Sequence, residues 1–499
     1  MNAVASTEMD FEPRHLDMAR HIASGVFSAG MLQIVMVLCQ FGSVIVLSRL
    51  LSPSEFGLMA MASPVFGFVT LFQDLGLSQA TIQKPTLSHA EVNVFFWINV
   101  AIGAVLMVFI MAVSPLVGRY YGEPRVALLT AAMGWLMLVG ALGNQPRAIL
   151  TRRMEFQIQS IYGALGAICS LMASIVAAFF LKNYWALYCG MVAGSLVPTA
   201  GIWFASGWKP SAPRRISGLH DMLKFGAGIT GSNIASFFSC NTDNILIGRR
   251  WGDHTLGLYD RAYKLLLFPI QRIAGPVMST LVPVLSRLNA EPDRYRSVFL
   301  KITANLTLLA WPGIIWAIVL NDTLIPLLLG EQWKDSAMIF TPLAFAGLVQ
   351  IVNNSMGYLY ISQGRSGELA RLSFIGAALD VSSFVIGLPY GAIGVATAYA
   401  ISEYLRTPFF WWNVTRIGPI RPRHIIYVIL PHVISAFASG MVLTLYRKWV
   451  HAPPLFLLAG GLVLSYAIAV FVMLLSRSGR ETLEHAWEAG QRLLLHVRR

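Results

Sequence analysis

Arg261, Lys264, Gln271 and Arg272 carry the side chains in the middle of this sequence best suited to act on an anion. At 100° per residue, Arg261 and Arg272 nearly superimpose on a helical wheel, and Lys264 and Gln271 fall on one side of them, within about 60–100°. The spacing makes one basic stripe that rises roughly 16 Å along a helix at 1.5 Å per residue. An arginine near the centre of a bilayer costs about 2.5–3.5 kcal/mol on insertion scales, so such a stripe should face a wet cavity or an anionic partner. The same residues also admit a structural use, in which Arg261 and Lys264 reach the interface and Arg272 pairs with Asp243 or Asp380. Both uses stay open. Pro269, Pro276 and Pro283 repeat along the same helix, and each removes a backbone donor, so they are candidate hinges. Pro312, followed by Gly313, is a fourth.

The elements that must position these residues are membrane helices. Of the 499 residues, 56% are hydrophobic and only 12% charged, with a mean hydropathy of +0.62, whereas soluble domains are about 25% charged. Apolar runs of about 20 residues recur along the chain, each enough to span roughly 30 Å of hydrocarbon. They do not alternate, which excludes an outer-membrane barrel. Fourteen spans are expected, at about 24–48, 56–76, 92–113, 126–145, 158–181, 184–204, 225–247, 258–283, 298–320, 337–361, 369–388, 391–414, 424–446 and 454–475. The fold class is therefore all-α and membrane-embedded. In the tail, Leu483, Trp487 and Leu494 share one helical face, which predicts an amphipathic helix on the membrane surface.

Cys39, Cys169, Cys189 and Cys240 all lie in apolar runs and read as small buried hydrophobes. The first run is too long for a cleaved leader. The ten histidines show no paired ligand spacing, so neither a metal nor any other cofactor is expected. The net charge of +13 sits in short turns, which argues for orientation within a membrane and against nucleic acid. With the N-terminus inside, inner segments hold 25 of the 37 basic residues and outer segments 11, among them Arg49, Arg249 and Arg250. Both termini are therefore expected in the cytoplasm.

The chain also repeats itself. "VIVLSRLLSPSEFGLM" at Val44–Met59 returns as "NILIGRRWGDHTLGLY" at Asn244–Tyr259, an offset of 200. Gly122-Glu123 returns as Gly330-Glu331, Gly166 as Gly376 and Pro198 as Pro408. A slowly drifting offset is the trace of a duplication. Six spans per copy give two parallel lobes, with a substrate path expected between them. The divisions read as an N-terminal segment (1–23), two lobes (24–208 and 209–415), two added helices (416–477) and the tail (478–499). Where the copies differ, the fold alone does not demand the residue: Asp243, Asp260, Arg261, Lys264 and Arg272 stand against Ser43, Ala60, Met61, Pro64 and Phe72. Asp380, mid-span and without a local partner, is a candidate for ion coupling. Glu403 and Arg406, three apart, should pair with each other. Trp411-Trp412 reads as an interfacial anchor.

"LSRLLSPSEFGLMAM", "FQDLGLSQATIQ", "NTDNILIGRRWGDHTLGLYDRAYKLLLFPIQRIAGPVMSTLVPVLSRL" and "LLLGEQW" resemble the polysaccharide transporter branch of the multidrug/oligosaccharidyl-lipid/polysaccharide exporter superfamily. The likeness covers roughly residues 24–415 and is strongest to colanic-acid and succinoglycan-type exporters. It implies a flippase that moves an undecaprenyl-diphosphate-linked oligosaccharide across a bacterial inner membrane by alternating access. Membrane lipids are implied as surroundings, polysaccharide polymerase and chain-length proteins as possible partners, and a monomer as a possible state. The family carries over no fixed catalytic residues, so the candidate path rests on charge. A multidrug antiporter should line its cavity with acids, whereas the eighth span here is basic. A polymerase or ligase would usually need a long outer loop, and the longest outer connection here is under 20 residues.

Overall fold

The computed structural model describes residues 18–74, 76–84, 87–212 and 219–497. Within them, the side chains of 18–29, 219–233, 235, 236, 268–280, 489, 490 and 492–497 are set aside. The described chain is helical almost throughout. Helices α1 (Met18–Leu50), α2 (Pro53–Thr70), α3 (Leu77–Gln83), α4 (His89–Tyr121), α5 (Pro124–Arg152), α6 (Phe156–Leu181) and α7 (Trp185–Ser206) come first. The long α8 (Leu219–Arg287) follows, then α9 (Pro292–Val319), α10 (Asn321–Leu329) and α11 (Ser336–Ser362). The last five are α12 (Ser366–Gly387), α13 (Gly391–Thr415), α14 (Pro422–Trp449), α15 (Pro454–Leu475) and α16 (Arg477–Val497). Ten helical stretches among the described residues are long and apolar enough to cross a membrane, and one of them, Ser366–Thr415, takes in both α12 and α13. The chain divides into two compact units, Met1–Gly257 and Leu258–Arg499.

Local sequence explains where helices begin and end. Ser88 and Glu91 make a reciprocal capping box at the start of α4, with Ser88 Oγ accepting from Glu91 N at 3.3 Å and Glu91 Oε2 from Ser88 N at 3.0 Å. Gly122, at φ 71°, ends α4 in the left-handed conformation that glycine adopts without strain. The connection expected between the seventh and eighth spans is much shorter than the sequence suggested. Helical geometry in α8 is broken only at Gly252 (φ 82°, ψ −177°), so Arg249 and Arg250 lie on a helix and not in a loop. Helices α3 and α10 have no counterpart among the expected spans, being too short to show as apolar runs.

In the first unit, small residues let helix backbones approach closely. A Cβ on Gly103 of α4 would lie 2.5 Å from that of Ala141 on α5, and one on Gly166 of α6 2.9 Å from the Pro198 ring on α7. Trp208, just past α7, is fully buried with Val92, Phe96 and Ile149. Asn93 holds the following segment, accepting from Ser211 N at 2.7 Å and donating to Ala212 O at 3.0 Å. Arg152 donates to the carbonyls of Thr81 and Lys84, at 3.0 and 2.6 Å, and so caps the end of α3.

In the second unit, α9, α11 and α13 hold the buried side chains together, with α14 and α15 packed on α9. Trp411 corrects one expectation. It is buried and donates Nε1 to Asn353 Oδ1 at 3.0 Å, so it is a core residue and not an interfacial anchor. Trp412 is exposed, with Arg416 4.8 Å above its ring. The tail does form a helix, α16. Among its described residues Ser478, Gly479 and Thr482 are buried and Trp487 is exposed, and Leu494 lies outside the described side chains.

Candidate substrate path

In the second unit the α8 stripe begins at Asp260, which is buried. One helical turn on, Lys264 places Nζ 2.8 Å from Asp260 Oδ1, and Arg261 Nε lies 3.8 Å from Oδ2. Two cations thus flank one carboxylate, which leaves this group of three with one excess positive charge. Their exposures differ sharply: the Arg261 side chain is 11% exposed and that of Lys264 48%. Lys264 is half exposed, while Arg261 stays in the protein beside the acid. Pro269, Gln271, Arg272 and Pro276 lie outside the described side chains. Pro283 is exposed near the far end of the helix. Pro312 of α9 is buried and held by α15: Ser465 Oγ donates to Pro312 O at 2.8 Å and Tyr466 Oη to Leu309 O at 2.5 Å.

A buried polar group in this unit joins α11, α12 and α13. Arg406 pairs with Glu403, as the spacing indicated, and also with Asp380 on α12. Asp380, which has no partner near it in the sequence, takes one from the neighbouring helix α13. Glu403 accepts from Tyr399 Oη at 3.0 Å and from Asn353 Nδ2 at 3.2 Å, and Arg406 Nη1 also donates to Gly376 O at 3.2 Å. Asn353 donates in turn to Thr407 Oγ1 at 2.7 Å. Both carboxylates are almost fully buried. Buried charges persist where they are paired and hydrogen-bonded, and this group is both. Its arrangement is that of a structural clasp among three helices.

In the first unit Asp243 is buried in α8, and Arg49, Arg249 and Arg250 are exposed, with Arg249 5.5 Å above the Tyr120 ring. Near them, the start of α2 meets the α8 segment after Gly252. A Cβ on Gly57 would fall 1.8 Å from Asp253 O, and one on Gly257 1.9 Å from Pro53 O. The contact is reciprocal at the offset of 200 seen in the sequence, since Pro53 matches Asp253 and Gly57 matches Gly257. No side chain larger than hydrogen fits at either glycine without moving backbone. Arg125 ties the same end together. It bonds Glu123 Oε1 at 2.9 Å and Asp253 Oδ2 at 3.3 Å, and lies 4.0 Å from Glu55, which accepts from Tyr184 N at 2.6 Å. The hydrogen bond from Arg125 holds the Glu123 carboxyl below the usual carboxylate range. Arg125 falls just before the span expected at 126–145, and no role for it there is legible in the sequence. The signal that could have found this cluster was the repeated Gly-Leu itself, since a glycine repeated at one position of two helices marks a close approach.

Comparison with known proteins supplies the family. The polysaccharide biosynthesis protein family matches residues 46–338. The chain is 23% identical over 413 residues to the lipopolysaccharide biosynthesis protein WzxC of Escherichia coli (strain K12), covering 80% of this chain and 83% of that one. It is 24% identical over 448 residues to the succinoglycan biosynthesis transport protein ExoT of Rhizobium meliloti (strain 1021), covering 88% and 90%. Among solved structures, the lipid II flippase MurJ in an inward-closed conformation superposes with a TM-score of 0.75 at 12% identity, over 89% of this chain and 97% of that one. An inward-facing multidrug resistance transporter of the MATE family superposes with a TM-score of 0.61 at 14% identity, over 76% and 95%. At such identities the structural likeness establishes the fold, and the family match establishes kinship. The chain is a multi-pass membrane protein that belongs to the polysaccharide biosynthesis protein family, built on the helical scaffold of the multidrug/oligosaccharidyl-lipid/polysaccharide exporters.

Proposed function

We propose that the chain is a flippase that carries an undecaprenyl-diphosphate-linked oligosaccharide from the inner to the outer leaflet of a bacterial inner membrane, by alternating access. The observation that carries this reading is the relation over most of its length to a succinoglycan biosynthesis transport protein and a lipopolysaccharide biosynthesis protein, on a scaffold shared with a lipid II flippase. The Asp260–Arg261–Lys264 group adds to it, because its excess charge suits an anionic cargo. The drug-antiporter alternative calls for acids free to bind cations, whereas Asp260 already pairs with Arg261 and Lys264, and Asp380 and Glu403 share Arg406. Fourteen crossings follow if α12 and α13 each cross, making eleven helices of the ten apolar stretches, and α2 and the two arms of α8 add three. Both termini then lie in the cytoplasm. Reporter fusions after Lys182 and Lys334 should read outside, and one after Gly418 inside. A polymerase and chain-length proteins would take up the delivered unit.

Deletion of the chain should abolish one extracellular polysaccharide while its lipid-linked repeat unit accumulates at the inner leaflet. Normal polysaccharide together with new sensitivity to cationic dyes would instead favour the antiporter.

A further inference from the structure

The span expected at 126–145 leaves Arg147 outside it, but α5 continues to Arg152 and carries Arg147 within it. Pro146, just before it, has no N–H to give to the Leu142 carbonyl, and Trp203 Nε1 of α7 fills that place at 2.9 Å. On a helical wheel Gly140, Asn144, Arg147 and Thr151 fall within about 60° of one another. Neighbouring helices enclose this strip on both flanks. Ala141 meets Gly103 of α4 and Gln145 accepts from Thr81 of α3 at 2.8 Å, while on the other flank Gly143 faces Thr199 of α7, whose Oγ1 would lie 3.2 Å from a Cβ there. The ends of the strip are polar. Gln73 lies over Gly140, where an added Cβ would sit 2.3 Å from its Nε2, and Gln159 of α6 donates to Thr151 Oγ1 at 2.9 Å.

Between these ends Arg147 is exposed and Asn144 partly so. Among the described residues neither side chain has a hydrogen-bond or ion-pair partner. An exposed cation on a strip with helices on both flanks and polar residues at both ends is poorly suited to face lipid. A guanidinium offers five donors in a planar fork that matches phosphoryl oxygens two at a time, and an amide one turn away adds another. The second unit supplies a control. At the offset of 210 that pairs Gly166 with Gly376, Asn144 corresponds to Asn354 and Arg147 to Gly357, where a Cβ would meet nothing within 4 Å. The open space and the amide recur there, and the charge does not.

We infer that Arg147 and Asn144 form an oxyanion site within the first unit, occupied by the phosphoryl groups of the lipid-linked substrate. The inference rests on the flippase reading and assigns one contact of its cargo. A carboxylate on an acidic sugar would suit the same donors, so the test carries both probes. The full-length protein is purified in detergent and its melting temperature followed against farnesyl diphosphate, glucuronic acid and farnesol. A ligand of the folded state raises that temperature. Farnesyl diphosphate should stabilise the protein, and Arg147→Gln should weaken the apparent affinity about tenfold or more. Arg147→Lys should keep part of the effect, and Arg119→Gln, on the exposed side of α4, should keep all of it. Should Arg147→Gln melt early without ligand, the lysine variant carries the comparison. Stabilisation by glucuronic acid alone, lost in the same variants, would assign the site to a sugar carboxylate. Equal stabilisation of Arg147→Gln and the unchanged protein, or none by either anion, overturns the site. Full export by an Arg147→Gln strain alongside such a result leaves the flippase reading standing. That reading fails separately, if polysaccharide reaches the surface without the chain.

Discussion

Arg406→Gln should sharply lower the amount of folded protein in the membrane, before any effect on transport is considered. The substitution leaves Asp380 and Glu403 facing each other's charge without the guanidinium that lies between them. Both are almost fully buried, and removing one member of a buried pair typically costs about 3–5 kcal/mol. Neutralising the two acids as well, in Arg406→Leu with Asp380→Asn and Glu403→Gln, should recover much of the loss, because no stranded charge remains. Immunoblots of membrane fractions and melting curves in detergent measure both. Normal levels of Arg406→Gln would contradict a structural clasp and return Asp380 to the list of coupling candidates. At the offset of 210, Asp380, Glu403 and Arg406 stand against Ser170, Ala193 and Leu196. The first copy closes the corresponding helices with small residues, a Cβ on Gly194 meeting that of Ser170 at 3.1 Å. The same joint is made by close packing in one unit and by charge in the other.

The second large effect is expected at the reciprocal glycines. Gly257→Ala puts a methyl group where Pro53 O now lies, 1.9 Å away, and the obstacle is backbone that no rotamer change can move. Overpacking of this kind costs about 1–3 kcal/mol, which in a transporter cycling between near-balanced states shifts a population about 5- to 150-fold. If the contact closes one end of the path in one half of the cycle, Gly257→Ala should reach the membrane in normal amount and export poorly. A cysteine placed at Pro53 in a background free of native cysteines should also react faster with a membrane-impermeant thiol reagent. Gly57→Ala, which meets Asp253 O, should behave alike because the contact is reciprocal. Gly357→Ala, in open space, should change nothing. Full export by Gly257→Ala would mean that the contact need not form during transport.

Much of this was legible in the sequence, for identifiable reasons. Long apolar runs must be helices in a bilayer, since no other open structure satisfies its backbone there, so α4–α7, α9 and α11–α15 fall close to the expected spans. The Glu403–Arg406 pair was readable because its two members lie on one helix face. Asp380 joining them was not, because which helices neighbour each other is absent from a hydropathy pattern. Trp411 misled for a related reason: tryptophan suits both an interface and a hydrogen-bonded core, and the Asn353 acceptor that decides between them is 58 residues away. The break in α8 was overestimated because Arg249, Arg250, Asp253 and His254 look like a loop, whereas a single glycine turns the chain. Arg147 was misplaced by the opposite error. A proline beside an arginine reads as the end of a helix, but Trp203 replaces the donor that Pro146 lacks, and α5 runs on.

Translocation itself is the most direct test. The purified chain would be reconstituted into vesicles carrying a fluorescently tagged prenyl-diphosphate oligosaccharide from the host strain in both leaflets, and a membrane-impermeant quencher added outside. Without a flippase only the outer half of the tag, about one half of the signal, should be quenched. With the chain present, quenching should run close to completion, and the unlinked oligosaccharide added in excess should not block it. Quenching that stops at the protein-free level, with the chain shown to be folded and inserted, would contradict the assignment of lipid-linked oligosaccharide as its cargo.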